Sequence, residues 1–257
     1  MLRRLNNASY ALTANVENGV VQGTNAFNLV GNALNNNLTG NGAANTLTGG
    51  DGADTLIGGA GDDTFVLNDA ALQQLLTTSG LATDVYTPVY DLVQEAANGG
   101  VDTVQVGRVS VTGMLGQVQT LSSYTLGANI ENGQVLGGGA FDLAGNSANN
   151  VLVGNTFSNT LSGLGGDDTL TGGGGTDTFS YAGLGFGHDT VTDFLAGAGT
   201  GHDVLTINHT LAADFASFMN DFAQNGGNAV RTLDANDIVA LTGINAQTLT
   251  AANFQVA

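Results

Sequence analysis

Residues 49–66 read GGDGADTLI followed by GGAGDDTFV, two nine-residue units laid end to end. Each has glycine at places one, two and four, aspartate at place six and a large apolar residue at place eight. Glycines at fixed places allow positive φ and close backbone approach, so six residues can close a tight turn. The remaining three residues can form a short strand whose middle residue points inward. A nine-residue period of this kind commits a chain to a stack of coils, each burying its apolar face only against its neighbours.

The period runs well beyond the glycine-rich motif. Eighth-place residues are Leu29, Leu38, Leu47, Leu56 and Phe65, and again Leu143, Leu152, Leu161, Leu170 and Phe179. Sixth-place residues are Asn36, Asn45, Asp54 and Asp63, then Asn150, Asn159, Asp168 and Asp177. Early coils therefore carry neutral asparagine at the turn, and late coils carry aspartate. Seventh-place threonines (Thr46, Thr55, Thr64, Thr160, Thr169, Thr178) favour extended backbone and point outward. The two series belong to a duplication. Residues 10–66 align without gaps to residues 124–180, and 33 of the 57 positions are identical.

The pattern G-G-x-G-x-D-x-U-x marks the calcium-binding parallel β-helix repeat of RTX proteins, and residues 49–66 and 163–180 resemble it closely. The resemblance implies an all-β fold of two right-handed parallel β-rolls, closed by small caps and one or two short helices. In such rolls two nonapeptides make one coil, so residues 18 apart stack on one edge. Asn36 would lie under Asp54, Asn45 under Asp63, Asn150 under Asp168 and Asn159 under Asp177. The cofactor implied is Ca2+, which takes six to eight oxygen ligands at about 2.3–2.6 Å. Magnesium fits less well, because it keeps its waters and demands a strict octahedron. The turns that would hold calcium contain Gly49, Gly52, Asp54, Gly58, Gly61 and Asp63 in the first copy. In the second they contain Gly163, Gly166, Asp168, Gly172, Gly175 and Asp177.

Each copy has only two full motifs, so its last aspartates lack a further repeat above them. Two acidic segments lie just downstream. Asp91, Glu95 and Asp102 follow the first copy, and Asp189, Asp193 and Asp203 follow the second. Both segments resemble those that close RTX rolls, and they are expected to complete the upper sites, with two to four calcium ions per roll. Two readings stay open for Asn36, Asn45, Asn150 and Asn159: metal ligands, or hydrogen-bonded ladders that hold the turns without metal. Asp91, Glu95 and Asp102 read equally as ligands or as solvated turn residues.

Composition narrows the function classes. The formal net charge is −18, with only four basic residues, Arg3, Arg4, Arg108 and Arg231. Nucleic-acid binding is thereby disfavoured, because phosphate contacts need a basic face. There is no cysteine, so neither disulfides nor thiolate metal sites arise. No apolar run is long enough to span a membrane. The segment MLRRLNNASYALTANVENG lacks the apolar stretch of a Sec signal peptide. His188, His202 and His209 are better read as turn and packing residues than as a zinc site. No HExxH, GxSxG or phosphate-binding loop occurs.

The expected organisation is a first roll at 1–68, a connector and cap at 69–123, a second roll at 124–182 and a C-terminal cap at 183–257. Within the connector, Asp69 is placed to cap a short helix carrying Leu72, Leu75 and Leu76. Residues 106–125 read as strand pairs turning at Gly113 and Gly116. Asn208 or Thr210 would cap an amphipathic helix with Phe215, Phe218, Met219 and Phe222 on one face. Residues 231–257 read as a hairpin and a final strand. This region resembles the C-terminal module of serralysin-type and other RTX proteins, which carries an uncleaved type I secretion signal.

The connector that precedes the second copy has no partner before the first. The expectation is a C-terminal part of a longer protein, or a short family member. The resemblance then implies a non-catalytic, secreted, extracellular calcium-binding module whose partners are calcium ions and the type I secretion apparatus. Two alternatives stand beside it. One is the C-terminal part of a secreted RTX protease, lipase or epimerase. The other is a calcium-dependent adhesin or surface-layer protein with a cell-surface or glycan partner.

Overall fold

The computed structural model describes residues 9–67, 71–75, 85–89, 91–112, 118–208 and 222–256. It comprises two compact units, Met1–Ser122 and Ser123–Ala257. Both are built from short strands in parallel sheets.

In the first unit the chain alternates between two parallel sheets. One contains Ser9–Ala11, Asn28–Val30, Thr46–Thr48, Thr64–Leu67 and Thr103–Gly107, in that order. The other contains Asn18–Val20, Asn37–Thr39, Thr55–Ile57 and Leu92–Gln94. The register pairs Leu29 with Leu47, Leu47 with Phe65, and Leu38 with Leu56, so each coil is two nonapeptides. The reason lies in the strand residues. The middle residue of each strand is buried, while its neighbours are at least partly exposed. Leu29, Leu38, Leu47, Leu56 and Phe65 thus form the core between the sheets. Each contributes about 1.5–3 kcal/mol by leaving water, and only the stacked neighbours above and below provide that shelter.

The closing layer is made from distant chain. Val93 pairs with Leu56 and Val104 with Phe65, so the segment that carries Asp91, Glu95 and Asp102 closes the roll. Two antiparallel pairs belong to the same unit, Ala71–Leu75 with Val85–Val89 and Val109–Thr112 with Val118–Leu121. The first corrects the sequence reading. Residues 71–75 are a strand, not the helix suggested by the spacing of Leu72, Leu75 and Leu76. Their partner, VYTPV, is rich in residues that favour extended backbone. A helix of two turns is too short to offset its nucleation cost, whereas the pairing supplies a ladder at once. Asp69, Leu76, Gly113 and Gly116 lie outside the described residues.

The second unit repeats the plan. One parallel sheet holds Asn132–Leu136, Val151–Val153, Thr169–Thr171, His188–Val191 and Ile238–Leu241. The other holds Ser123–Thr125, Phe141–Ala144, Asn159–Ser162, Thr178–Tyr181, Val204–Ile207 and Phe254–Val256. Leu143, Leu152, Leu161, Leu170 and Phe179 are its buried ladder. Beyond Ile238–Leu241 the first sheet turns antiparallel, through Asn228–Thr232 and then Ala223–Asn225.

The described helices are two single-turn 3-10 segments, Ala246–Thr248 and Ala251–Asn253, before the final strand. Thr210, Phe215, Phe218 and Met219 of the amphipathic stretch lie outside the described residues. Phe222 is buried against Phe254, with ring centroids 5.6 Å apart.

Candidate metal centre

The chain passes from one sheet to the other at the two edges of each roll, and the sixth-place residues stand there. In the first unit Asn36, Asp54 and Asp91 follow one another along one edge, and Asn45, Asp63 and Asp102 along the other. Each rung is a backbone N–H donating to the carboxylate above it. Asn36 N reaches Asp54 Oδ1 at 2.6 Å, and Asp54 N reaches Asp91 Oδ1 at 3.0 Å. Asn45 N reaches Asp63 Oδ1, and Asp63 N reaches Asp102 Oδ1, both at 2.7 Å. The second unit has the same rungs. Asn150 N donates to Asp168 at 2.7 Å and Asp168 N to Asp189 at 3.0 Å. Asn159 N donates to Asp177 at 2.8 Å and Asp177 N to Asp203 at 2.9 Å. All twelve of these residues are buried.

Asparagine and aspartate do different things in this ladder. Asn45 Nδ2 donates down to Phe27 O at 2.9 Å, and its Oδ1 accepts from Asn41 N at 2.8 Å. Asn36, Asn150 and Asn159 make the same two kinds of bond, down to Val16, Ile130 and Phe141 and back to Asn32, Asn146 and Asn155. Both ends of each carboxamide are occupied. A carboxylate has no donor and cannot make the downward bond. Oδ2 of Asp54, Asp63 and Asp168 is buried and accepts no hydrogen bond among the described residues.

The first-place glycines leave room for these oxygens. A Cβ on Gly58 would overlap Glu95 Oε2 and Asp63 Oδ2, and one on Gly49 would overlap the carboxylates of Asp54 and Asp91. Gly163 and Gly172 face Asp168 and Asp177 in the same way. The fourth-place glycines Gly52, Gly61, Gly166 and Gly175 have φ between 97° and 124°, which turns the chain over the coil below. At the second place of the Gly163 unit stands Leu164, with φ 74°.

Asp63, Glu95 and Asp102 each bring a carboxylate oxygen to within 4.8 Å of the other two. The second unit closes differently. Asp193 accepts from Gly172 N at 2.9 Å and Gly173 N at 2.8 Å. Asp203 accepts from Asp177 N with one oxygen and from Leu195 N, at 2.7 Å, with the other.

Burial pushes these carboxyl groups up, against the lowering effect of the backbone hydrogen bonds. Asp63 rises to about 7, Asp168 and Asp177 to about 6, and Asp189 to about 8, with neighbouring carboxylates adding to each. Asp54 and Asp203 move the same way, chiefly through burial. Buried anions without countercharge are costly. A cation that accepts several oxygens at once would offset that cost.

The described histidines are engaged elsewhere. His188 Nε2 lies 3.3 Å from Ala235 O, and His202 Nε2 lies 3.0 Å from Ala252 O. His209 lies outside the described residues. Two residues of the closing layer were missed in the sequence. Asp237 accepts from Gly185 N and Phe186 N at 2.8 and 2.7 Å. Asn253 Nδ2 donates to Asp203 O at 2.9 Å. Asp237 sits in an Asp-Ile-Val triplet of the same kind as Asp91-Leu-Val and Asp102-Thr-Val, and that was the available signal.

The family model described as "RTX calcium-binding nonapeptide repeat (4 copies)" matches residues 30–65 and 144–179. A comparison with curated proteins gives no match. Among solved structures, the extracellular lipase LipA from Serratia marcescens is similar at 21% identity and a TM-score of 0.41. That match covers 91% of this chain and 41% of the lipase chain. The two family matches fall on equivalent coils of the two units, and such repeats bind calcium: both units carry RTX calcium-binding nonapeptide repeats.

Proposed function

We propose that this chain is a non-catalytic, secreted calcium-binding module that folds when it meets calcium after type I secretion. The observation that carries this reading is the set of buried aspartates with an oxygen that accepts no hydrogen bond among the described residues, at Asp54, Asp63 and Asp168. The candidate ligands are Asp54 with Asp91, Asp63 with Glu95 and Asp102, Asp168 with Asp189, and Asp177 with Asp203. Gly49, Gly58, Gly163 and Gly172 provide the space beside them. Asn36, Asn45, Asn150 and Asn159 form the metal-free floor of each edge, because their carboxamides are spent on backbone bonds. On this reading two cation sites belong to each unit, one at each edge, between its last repeats and the closing segment.

Coupling of folding to binding follows from the charges. Without metal the stacked carboxylates repel, and a thin apolar ladder must offset the conformational entropy alone. A cation that binds only the folded chain adds RT ln(1 + [Ca]/Kd) per site. Extracellular calcium modules bind at about 10⁻⁴–10⁻³ M, above cytosolic calcium and within extracellular levels. The chain would then stay loose before export and fold outside the cell.

The test is a calcium titration followed by circular dichroism, with bound ions counted by mass. The expected result is a gain of β structure and of melting temperature with calcium, reversed by chelator, and about four ions bound per chain. Equal β content and equal melting with calcium and with chelator would refute calcium-coupled folding.

A further inference from the structure

The second place of the repeat changes together with the sixth. The turns at 31–36, 40–45, 145–150 and 154–159 read G-N-x-x-x-N. The turns with aspartate at place six carry Gly50, Gly59, Leu164 and Gly173 at place two. Each place-two asparagine makes the same three bonds. Asn32 Nδ2 donates to Thr13 O and Val16 O of the coil below, at 2.9 and 2.7 Å. Asn41 Nδ2 bridges Gly23 O and Asn25 O at 3.0 and 2.9 Å, and Asn146 Nδ2 bridges Gly127 O and Ile130 O at 2.8 and 2.7 Å. Asn155 Nδ2 bridges Gly137 O and Gly139 O at 3.3 and 3.1 Å. The Oδ1 of each accepts from the backbone N–H two residues on. Glycine and leucine have no amide for such a bridge. A Cβ on Gly50 would stand 2.6 Å from Asn32 O, so the place-two carbonyl of the coil below lies directly under bare backbone there.

We infer that G-N-x-x-x-N is a metal-independent counterpart of the calcium turn, in which the place-two carboxamide gathers the carbonyls of the coil below as a bound cation would, so that calcium governs only the upper part of each unit. A cation between coils neutralises the turn carboxylates and draws oxygens of successive coils to one point. The asparagine turns have no carboxylate at place six to neutralise, and the two N–H groups of one planar amide draw two carbonyls together. These turns keep their fastening when calcium is withdrawn. The aspartate turns lose theirs and are left with buried like charges. The inference rests on the reading of the aspartate turns as calcium ligands and narrows it. Each unit has a lower block, 9–48 or 123–162, that holds its order without the ion, and an upper block that calcium builds onto it.

The experiment is hydrogen exchange of the full chain, read by mass spectrometry in chelator and across a calcium series. In chelator, amides of Asn37–Thr39, Thr46–Thr48, Val151–Val153 and Asn159–Ser162 are expected to exchange about tenfold or more slowly than those of Thr55–Ile57, Thr64–Leu67, Thr169–Thr171 and Thr178–Tyr181. Calcium should then protect the second group. Asn146→Ala should remove the protection of Val151–Val153 in chelator and leave the number of bound calcium ions unchanged. Ser147→Ala, at an exposed residue of the same turn, should alter neither. If the chain with Asn146→Ala does not fold in calcium, the wild-type pattern decides. Equal exchange of the two groups in chelator, with protection gained by both at one calcium concentration, overturns the inference and leaves calcium-coupled folding intact. So does loss of a bound ion in folded Asn146→Ala. Exchange that calcium changes nowhere overturns the calcium reading, and the inference with it.

Discussion

At the scale of single residues, the turns separate two uses of small side chains. Gly58 is needed because oxygens occupy the place of its Cβ, so Gly58→Ala should weaken calcium binding even in a chain that still folds. Isothermal titration would show the loss. The second place of the repeat needs a left-handed backbone instead. Gly50, Gly59 and Gly173 have φ between 93° and 112°, and Leu164 adopts φ 74° at the same place. A leucine pays for that conformation, and it is about half exposed, so little packing compensates. Leu164→Gly should raise the stability of the calcium-bound chain by up to about 1 kcal/mol, seen as a higher melting temperature. The asparagines test a third use. Asn45→Ala removes the bonds to Phe27 O and Asn41 N and leaves buried backbone groups unpaired. It should destabilise by about 1–3 kcal/mol without changing the number of calcium ions bound.

At the scale of the element, the strands were legible because each nonapeptide repeats one instruction. A residue such as Leu47 or Leu161 can be read as core from spacing alone, since the next coil repeats it eighteen residues later. The same holds for the acidic segment after each roll, whose Asp-x-apolar triplets repeat the end of a nonapeptide. Legibility ended where the partner of an element lies outside the period. Residues 71–75 carry leucines at helical spacing, and only the distant VYTPV segment makes them a strand. Asp237 stayed hidden because its partners, Gly185 N and Phe186 N, are fifty residues away and belong to backbone. The difference between asparagine and aspartate turns was visible as a change of letter. Its meaning needed coordinates, because the carboxamide's second bond points to a carbonyl of the coil below.

At the scale of the whole molecule, the buried carboxyl groups set the pH response. Asp63, Asp168, Asp177 and Asp189 have raised values in the folded chain, so the folded state holds protons that the unfolded state has already released. Their stabilising contribution is complete below about pH 4 and is lost as pH rises through about 6 to 8. In chelator, the chain should therefore melt higher at pH 5 than at pH 8. Calcium should reverse the order, because protons compete with the cation for the same oxygens. Thermal melts at both pH values, with and without calcium, would show the crossing. One further consequence comes from the hairpin that ends a sheet of the second unit. A stack of parallel coils presents at its end a row of unused hydrogen-bonding groups, the template from which fibrils grow. Asn228–Thr232 reverses the strand direction there, and the last strand, Ala223–Asn225, is three exposed residues long. The hairpin blunts that edge, so a chain that folds by stacking its own coils is shielded there from stacking on its copies.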